Sequence, residues 1–230
     1  MNDVPEDAVI AARGVGRDFA SGDEVVRAVR DVSMDVFPGE MVALLGRSGS
    51  GKTTLLNLLG GLDSPTHGAV YLDGHDFATF TGAEMAEIRR RKLGFVFQTF
   101  GLLPLLSAQE NVELPLRIAG ASRGERERLG REALDTVGLL HRVRHRPYEL
   151  SGGEQQRVAI ARAIVHKPPV ILADEPTAEL DSVSANAIFS LLAQVVVQDR
   201  LAVVVATHDR AVVDLAHRVL ELEDGALVSG

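Results

Sequence analysis

The chain has 230 residues, 46% hydrophobic and 4% aromatic, with 24 Lys and Arg against 32 Asp and Glu, a net charge of −8. At about 150 residues per domain this is one elaborated domain or two small lobes, long enough to bury a core without disulfide or metal staples. The negative balance argues against nucleic acid as a partner, because no surplus of cations is available to neutralise phosphates.

The chain contains no cysteine, which removes thiol chemistry and Cys-based zinc sites and fits a reducing compartment. Apolar runs such as Leu201 to Ala206 fall far short of the ~18 to 20 residues of a membrane span, and the acidic N-terminal residues lack a signal-peptide pattern. The expectation is a cytoplasmic chain that neither crosses a membrane nor is exported.

In chain order, Ser33 to Pro38 alternates apolar and polar residues, as does part of Gly68 to Gly74, which ends in an Asp73-Gly74 turn signal. Both predict strands of a half-exposed antiparallel sheet. Met41 to Leu45, Val170 to Ala173 and Leu201 to Ala206 are continuous apolar runs without alternation, the pattern of parallel strands buried on both faces. Thr54 to Leu59 reads as a helix. So does Arg123 to His145, with Leu129, Ala133, Val137 and Leu140 at helical spacing before Pro147 interrupts. Helices are also predicted over Arg157 to Lys167 and around Ala185, Ile188, Leu192 and Val195, and Asp224-Gly225 marks a terminal hairpin.

Polar chemistry follows each of the three buried runs. Gly46 opens a glycine-rich loop, Asp174-Glu175 ends the second run, and Thr207-His208 ends the third. In open parallel sheets ligands bind at that carboxyl edge, so three separate segments point to one site.

Gly46-Arg47-Ser48-Gly49-Ser50-Gly51-Lys52-Thr53 fits G-x-x-x-x-G-K-[ST], after a strand and before a helix that continues with Thr54. Such a loop turns backbone N–H groups toward an anion at a helix N-terminus, adds the lysine charge, and offers a hydroxyl to Mg²⁺. Asp174 is placed to serve the metal and Glu175 to polarise the attacking water. Leu150-Ser151-Gly152-Gly153-Glu154-Gln155-Gln156, directly before a helix, forms a second anion cradle.

Taken together with Gln98, Asp181 and His208, these strings resemble the nucleotide-binding subunit of ATP-binding cassette transporters over essentially the full chain. Leu55 to Asp63, Gly94 to Leu116 and Ala173-Asp174-Glu175-Pro176-Thr177 are similar to one branch, the ATPases of lipoprotein-release, macrolide-efflux and antimicrobial-peptide-resistance systems. The resemblance implies an α/β P-loop NTPase fold: a RecA-like parallel-sheet core with an antiparallel β subdomain, and a helical lobe carrying the Leu150 to Gln156 signature. Residues 1–98 and 160–230 would be the core and residues 99–159 the lobe.

The same resemblance implies a head-to-tail homodimer with each ATP between one chain's Gly46–Thr54 segment and the other's Ser151, Gly152 and Gly153. Gln98 would contact Mg²⁺ or its water and sense an integral membrane permease. His208 would contact the γ-phosphate, Asp181 would communicate across the dimer, and Phe19 would stack on adenine, with a core Phe as the alternative. The implied function is ATP hydrolysis driving a separate permease from the cytoplasmic face, with control of a membrane protein without transport as the alternative. The chain departs from the branch at Ala178-Glu179, where Gly-Asn is usual, and the effect of Glu179 is open. The run Arg89-Arg90-Arg91-Lys92 is expected to be a solvated helix end.

Overall fold

The computed structural model describes residues 4–22 and 24–229. Strands β1 (Ile10–Ser21) and β2 (Glu24–Val36) pair antiparallel. Alternation is visible in β2 only at its end, where Val32, Met34 and Val36 are buried. Toward its start Val25 and Val26 face solvent, so the strand is longer than its periodicity predicts. After β3 (Met41–Leu45) and helix α1 (Lys52–Leu59), β4 (His67–Leu72) and β5 (His75–Asp76) complete a sheet in the order β2-β1-β4-β5. The turn between β4 and β5 puts Asp73 at φ 49° and Gly74 at φ 75°, both left-handed, as a two-residue hairpin requires.

Helix α2 (Gly82–Lys92) starts at a capping box between Thr81 and Glu84 and ends in the basic run. The run is a helix end held by ion pairs: Arg90 and Arg91 meet Glu87, and Lys92 meets Asp73. Strand β6 (Leu93–Val96) then leads to helices α3 (Ala108–Val112), α4 (Leu114–Ile118), α5 (Arg123–Thr136) and α6 (Gly152–Ile164). The helix predicted to His145 stops at Thr136, because Gly138 adopts φ 73° and reverses the chain before a short 3-10 turn at Leu140–Arg142. Helix α6 begins earlier than predicted, at the first signature glycine.

Strand β7 (Val170–Asp174), helix α7 (Ser182–Asp199), and strands β8 (Ala202–Thr207), β9 (Arg218–Glu223) and β10 (Ala226–Ser229) finish the fold. The second sheet runs β10-β9-β3-β8-β7-β6, parallel throughout except for β10. Its central strands are buried on both faces, and the two-residue period sorts them between two cores. Val42 and Leu44 of β3, with Val204 and Ala206 of β8, pack with α1 and the antiparallel sheet, whereas Met41, Ala43, Leu45, Val203 and Val205 pack with the helices on the other side. Register then aligns the carboxyl ends, with Leu45 opposite both Thr207 and Glu221 and Asp174 opposite Ala206.

Candidate nucleotide site

Strand β3 hands the chain to the loop at the sheet's carboxyl edge, and the loop's corners take left-handed backbone conformations that favour glycine. Gly49 and Gly51 have φ 81° and 103°, and a Cβ on Gly51 would lie 2.1 Å from the Ala28 carbonyl oxygen of β2. The loop is braced from behind by the β9–β10 turn: Gly225 N–H donates to the Ser50 carbonyl at 3.0 Å, and Arg30 N–H donates to Gly225 at 2.7 Å. No side chain caps α1, so its first N–H groups are left for an anion. Lys52, buried, donates from Nζ to the carbonyls of Gly46 (2.8 Å) and Arg47 (3.1 Å). Its charge therefore sits inside the loop. Ser50 Oγ is buried with no hydrogen-bond partner, an orphan that a polar ligand in the loop would satisfy.

Two carboxylates end β7. Asp174 Oδ1 accepts from Thr53 Oγ1 at 3.1 Å. Burial pushes the Asp174 carboxyl above its ordinary range and the neighbouring Glu175 charge adds to this, while the Thr53 hydroxyl and Lys52 pull it down. Thr53 and Asp174 are hard oxygen donors, and among the described residues no group of three His, Cys, Asp or Glu could hold a metal ion by itself. A cation here would need water and phosphate oxygens to complete its shell, the habit of Mg²⁺.

Glu175 has a left-handed backbone, φ 45°, fixed by its N–H donating to the Ala206 carbonyl at 2.8 Å. Its carboxylate faces Lys52 Nζ at 3.4 Å, accepts from Thr207 Oγ1 at 3.3 Å, and lies 2.9 Å from His208 Nδ1. A cleft of about 370 Å³ is lined by Ala28, Ser48, Gly49, Ser50, Gly51, Lys52, Thr53, Thr54, Gln98, Glu175, Ala178 and His208. Gln98, just beyond β6, donates from Nε2 to Glu179 Oε1 at 3.4 Å, so the Glu179 departure meets a predicted site residue.

The signature lies apart from that cleft. Ser151 caps α6, its Oγ accepting from Glu154 N–H at 3.3 Å while Glu154 accepts from Ser151 N–H at 2.9 Å. Gly152 and Gly153 pack on the start of α7, where an added Cβ would meet Leu180 at 3.3 Å and Ser184 at 3.4 Å. Asp181 caps α7 through Val183 and Ser184, and these hydrogen bonds hold its carboxyl below the ordinary range. Phe19 lies on the β1–β2 hairpin and is 39% exposed, which rules out the core alternative. Sequence reasoning placed Thr207 with His208 at the sheet edge but gave it no contact with Glu175, and it missed the Gly225 brace.

The ABC transporter family profile matches residues 29–178, well over half of the chain. The chain belongs to the ABC transporter family. This cassette is 46% identical over 96% of its length to "Lipoprotein-releasing system ATP-binding protein LolD 2" of Caulobacter vibrioides, covering 97% of that protein. It is 45% identical over 96% of its length to "Macrolide export ATP-binding/permease protein MacB 1/2" of Paracoccus denitrificans, of which it covers 33%. The cassette thus spans about a third of the length of the MacB relatives it matches. Among solved structures, the ATP-binding cassette MJ0796, dimeric and bound to ADP and Pi, superposes with a TM-score of 0.88 at 43% identity, covering 96% of this chain and 97% of that one. The P-loop NTPase fold implied by the resemblance is the observed one.

Proposed function

We propose that this cassette binds ATP with Mg²⁺ and hydrolyses it to ADP and phosphate, as one half of a head-to-tail homodimer that drives a separate integral membrane permease from the cytoplasmic face. The observation that carries the reading is the convergence of Lys52, Glu175 and His208 on one cleft at the carboxyl ends of three parallel strands, with Asp174 joined to it through Thr53. Lys52 and the loop N–H groups hold the phosphates. Thr53 and Asp174, with Gln98, hold the metal, which neutralises phosphate charge. Glu175 accepts the proton of the attacking water and His208 orients the terminal phosphate, a division of labour that uses the 2.9 Å contact between them.

Ser151, Gly152, Gly153 and Asp181 lie outside the cleft, so their part in the reaction comes from the partner copy, in keeping with the dimeric relative. Among the described residues no helix is long and apolar enough to cross a membrane, which fits a partner that does. Residues 99–159 are assigned as the lobe facing it. An apolar groove of about 630 Å³ beside Gln98, lined by Phe97, Leu114, Pro115 and Ile118 among others, is the surface offered to that partner.

Phosphate release by the purified protein tests the hydrolytic reading. We expect turnover with Mg²⁺, none with a chelator, and a strongly reduced rate in Glu175→Gln; Mg²⁺-independent release would overturn it. Affinity isolation from solubilised membranes tests the partner, and recovery of no integral membrane protein would refute that half.

A further inference from the structure

The ring of Phe19 is covered on one face. The Arg17 guanidinium lies over it, 4.5 Å from the centroid, and donates from Nε to Asp63 Oδ2 at 2.8 Å. Asp63 is itself tied to the phosphate-loop helix, its N–H donating to the Asn57 carbonyl of α1 at 3.2 Å. Flanking bonds tack the same stretch of β1 to the segment after α1: Thr66 N–H donates to Gly16 at 2.8 Å, and Asp18 N–H to Thr66 Oγ1 at 3.0 Å. Arg17 and Asp63 are both largely shielded, with side chains 27% and 29% exposed, so the pair is better protected from screening than a free surface pair.

The position of the ring relative to the cleft follows from strand register. Phe19 pairs with Val26 of β2, two residues from Ala28, which lines the cleft and whose carbonyl packs against Gly51. Phe19 is thus an aromatic platform beside the phosphate loop, with a cation on one face and its remaining surface partly open. A flat heteroaromatic ring attached to phosphates in the loop has the right chemistry to stack there, and a platform already immobilised loses less side-chain entropy when it does.

We propose that Arg17, anchored by Asp63, is a positioning residue for the nucleotide base: it holds the Phe19 ring so that the opposite face stacks the base. The proposal rests on the reading of Phe19 as the base-stacking residue. Arg17 acts through the ring and touches neither the phosphates nor the reacting atoms.

The test compares equilibrium affinity for ATP with that for inorganic tripolyphosphate, which has no base, in the wild type, Phe19→Ala, Arg17→Gln, Arg17→Lys and Asp63→Asn. Melting curves confirm that each variant is folded. We expect Phe19→Ala to weaken ATP binding by about tenfold or more. Arg17→Gln and Asp63→Asn should each weaken it by roughly threefold to tenfold. Arg17→Lys should recover part of the loss by restoring the cation without the planar fork. Tripolyphosphate affinity should be unchanged in all four, and adding Arg17→Gln to Phe19→Ala should cost nothing further.

If Phe19→Ala weakens ATP binding and Arg17→Gln does not, the positioning role is refuted while the stacking reading stands. If Phe19→Ala leaves ATP affinity unchanged, the stacking reading itself falls. If Arg17→Gln weakens ATP and tripolyphosphate equally, Arg17 supports the loop at large and the proposal is overturned.

Discussion

His208 Nδ1 lies 2.9 Å from Glu175 Oε2, although the two residues follow different strands, β8 and β7. The contact exists because β7 and β8 are in register up to Asp174 and Ala206, so both chains leave the sheet at the same level. Thr207 Oγ1 donates to the same carboxylate oxygen at 3.3 Å. That oxygen is therefore held by two neighbours, and the other faces Lys52 at 3.4 Å.

The first prediction concerns that carboxylate. Glu175→Gln keeps the shape and removes the charge, so ATP binding should survive while hydrolysis falls by about 10²- to 10⁴-fold. Unhydrolysed ATP should then hold two copies together. Size-exclusion chromatography is expected to show a dimer with ATP and a monomer with ADP; an elution position indifferent to nucleotide would contradict the role given to Glu175.

Lys52→Ala should weaken ATP binding by roughly tenfold to a hundredfold, the worth of a hydrogen bond to a charged group of about 1.5–3 kcal/mol. The structure adds a consequence for stability. Lys52 also satisfies the Gly46 and Arg47 carbonyls and faces Glu175, so the variant should melt below the wild type even without nucleotide. Isothermal titration and calorimetry read the two effects separately.

Ser151 offers a contrast between its two substitutions. Ser151→Ala removes the helix cap, which should cost about 1 kcal/mol of stability, together with the hydroxyl offered to the partner's nucleotide. Ser151→Arg places a long cation where the partner's phosphate would dock, and should abolish hydrolysis while leaving ATP binding by a single copy intact. Normal phosphate release by Ser151→Arg would remove the signature from the in-trans site.

Glu154 gives a pH dependence. Backbone hydrogen bonding from Ser151 and, further down, the Arg142 contact at 2.9 Å hold its carboxyl below the ordinary range, although burial opposes them. A carboxyl lowered in the folded chain contributes stability that is complete above its unfolded value of about 4.3 and is lost as pH falls through the folded value. Glu154→Gln should therefore melt below the wild type at pH 7, and the gap should narrow below about pH 4. Thermal melts across that range check the sign.

Legibility in the sequence followed where side chains, as opposed to main chain, carry the contact. Met41 to Leu45 was readable to the residue because both faces of β3 are buried and no polar residue interrupts it. The helix from Arg123 was overextended because Val137 and Leu140 keep helical spacing across Gly138, and only the left-handed backbone at Gly138 reveals the reversal. Glu175, Asp174 and His208 could be placed at one edge from their strands alone. The Gly225 brace on Ser50 could not, since it is made by a main-chain N–H and a carbonyl and leaves no side-chain pattern to read. Arg17 and Asp63 are far apart in sequence and share no motif, so their meeting under Phe19 is a product of tertiary packing.

The place of β3 in the sheet bears on how the protein is made. The strand that carries the phosphate loop is flanked by β8 and β9, and the loop is backed by the turn that follows β9. A ribosome translates β3 early and all three supports late. The emerging chain thus makes its phosphate-binding residues before the strands and turn that flank and back them, and loop-closure entropy delays that part of the assembly. Nucleotide that binds the assembled loop then stabilises the closed fold by mass action.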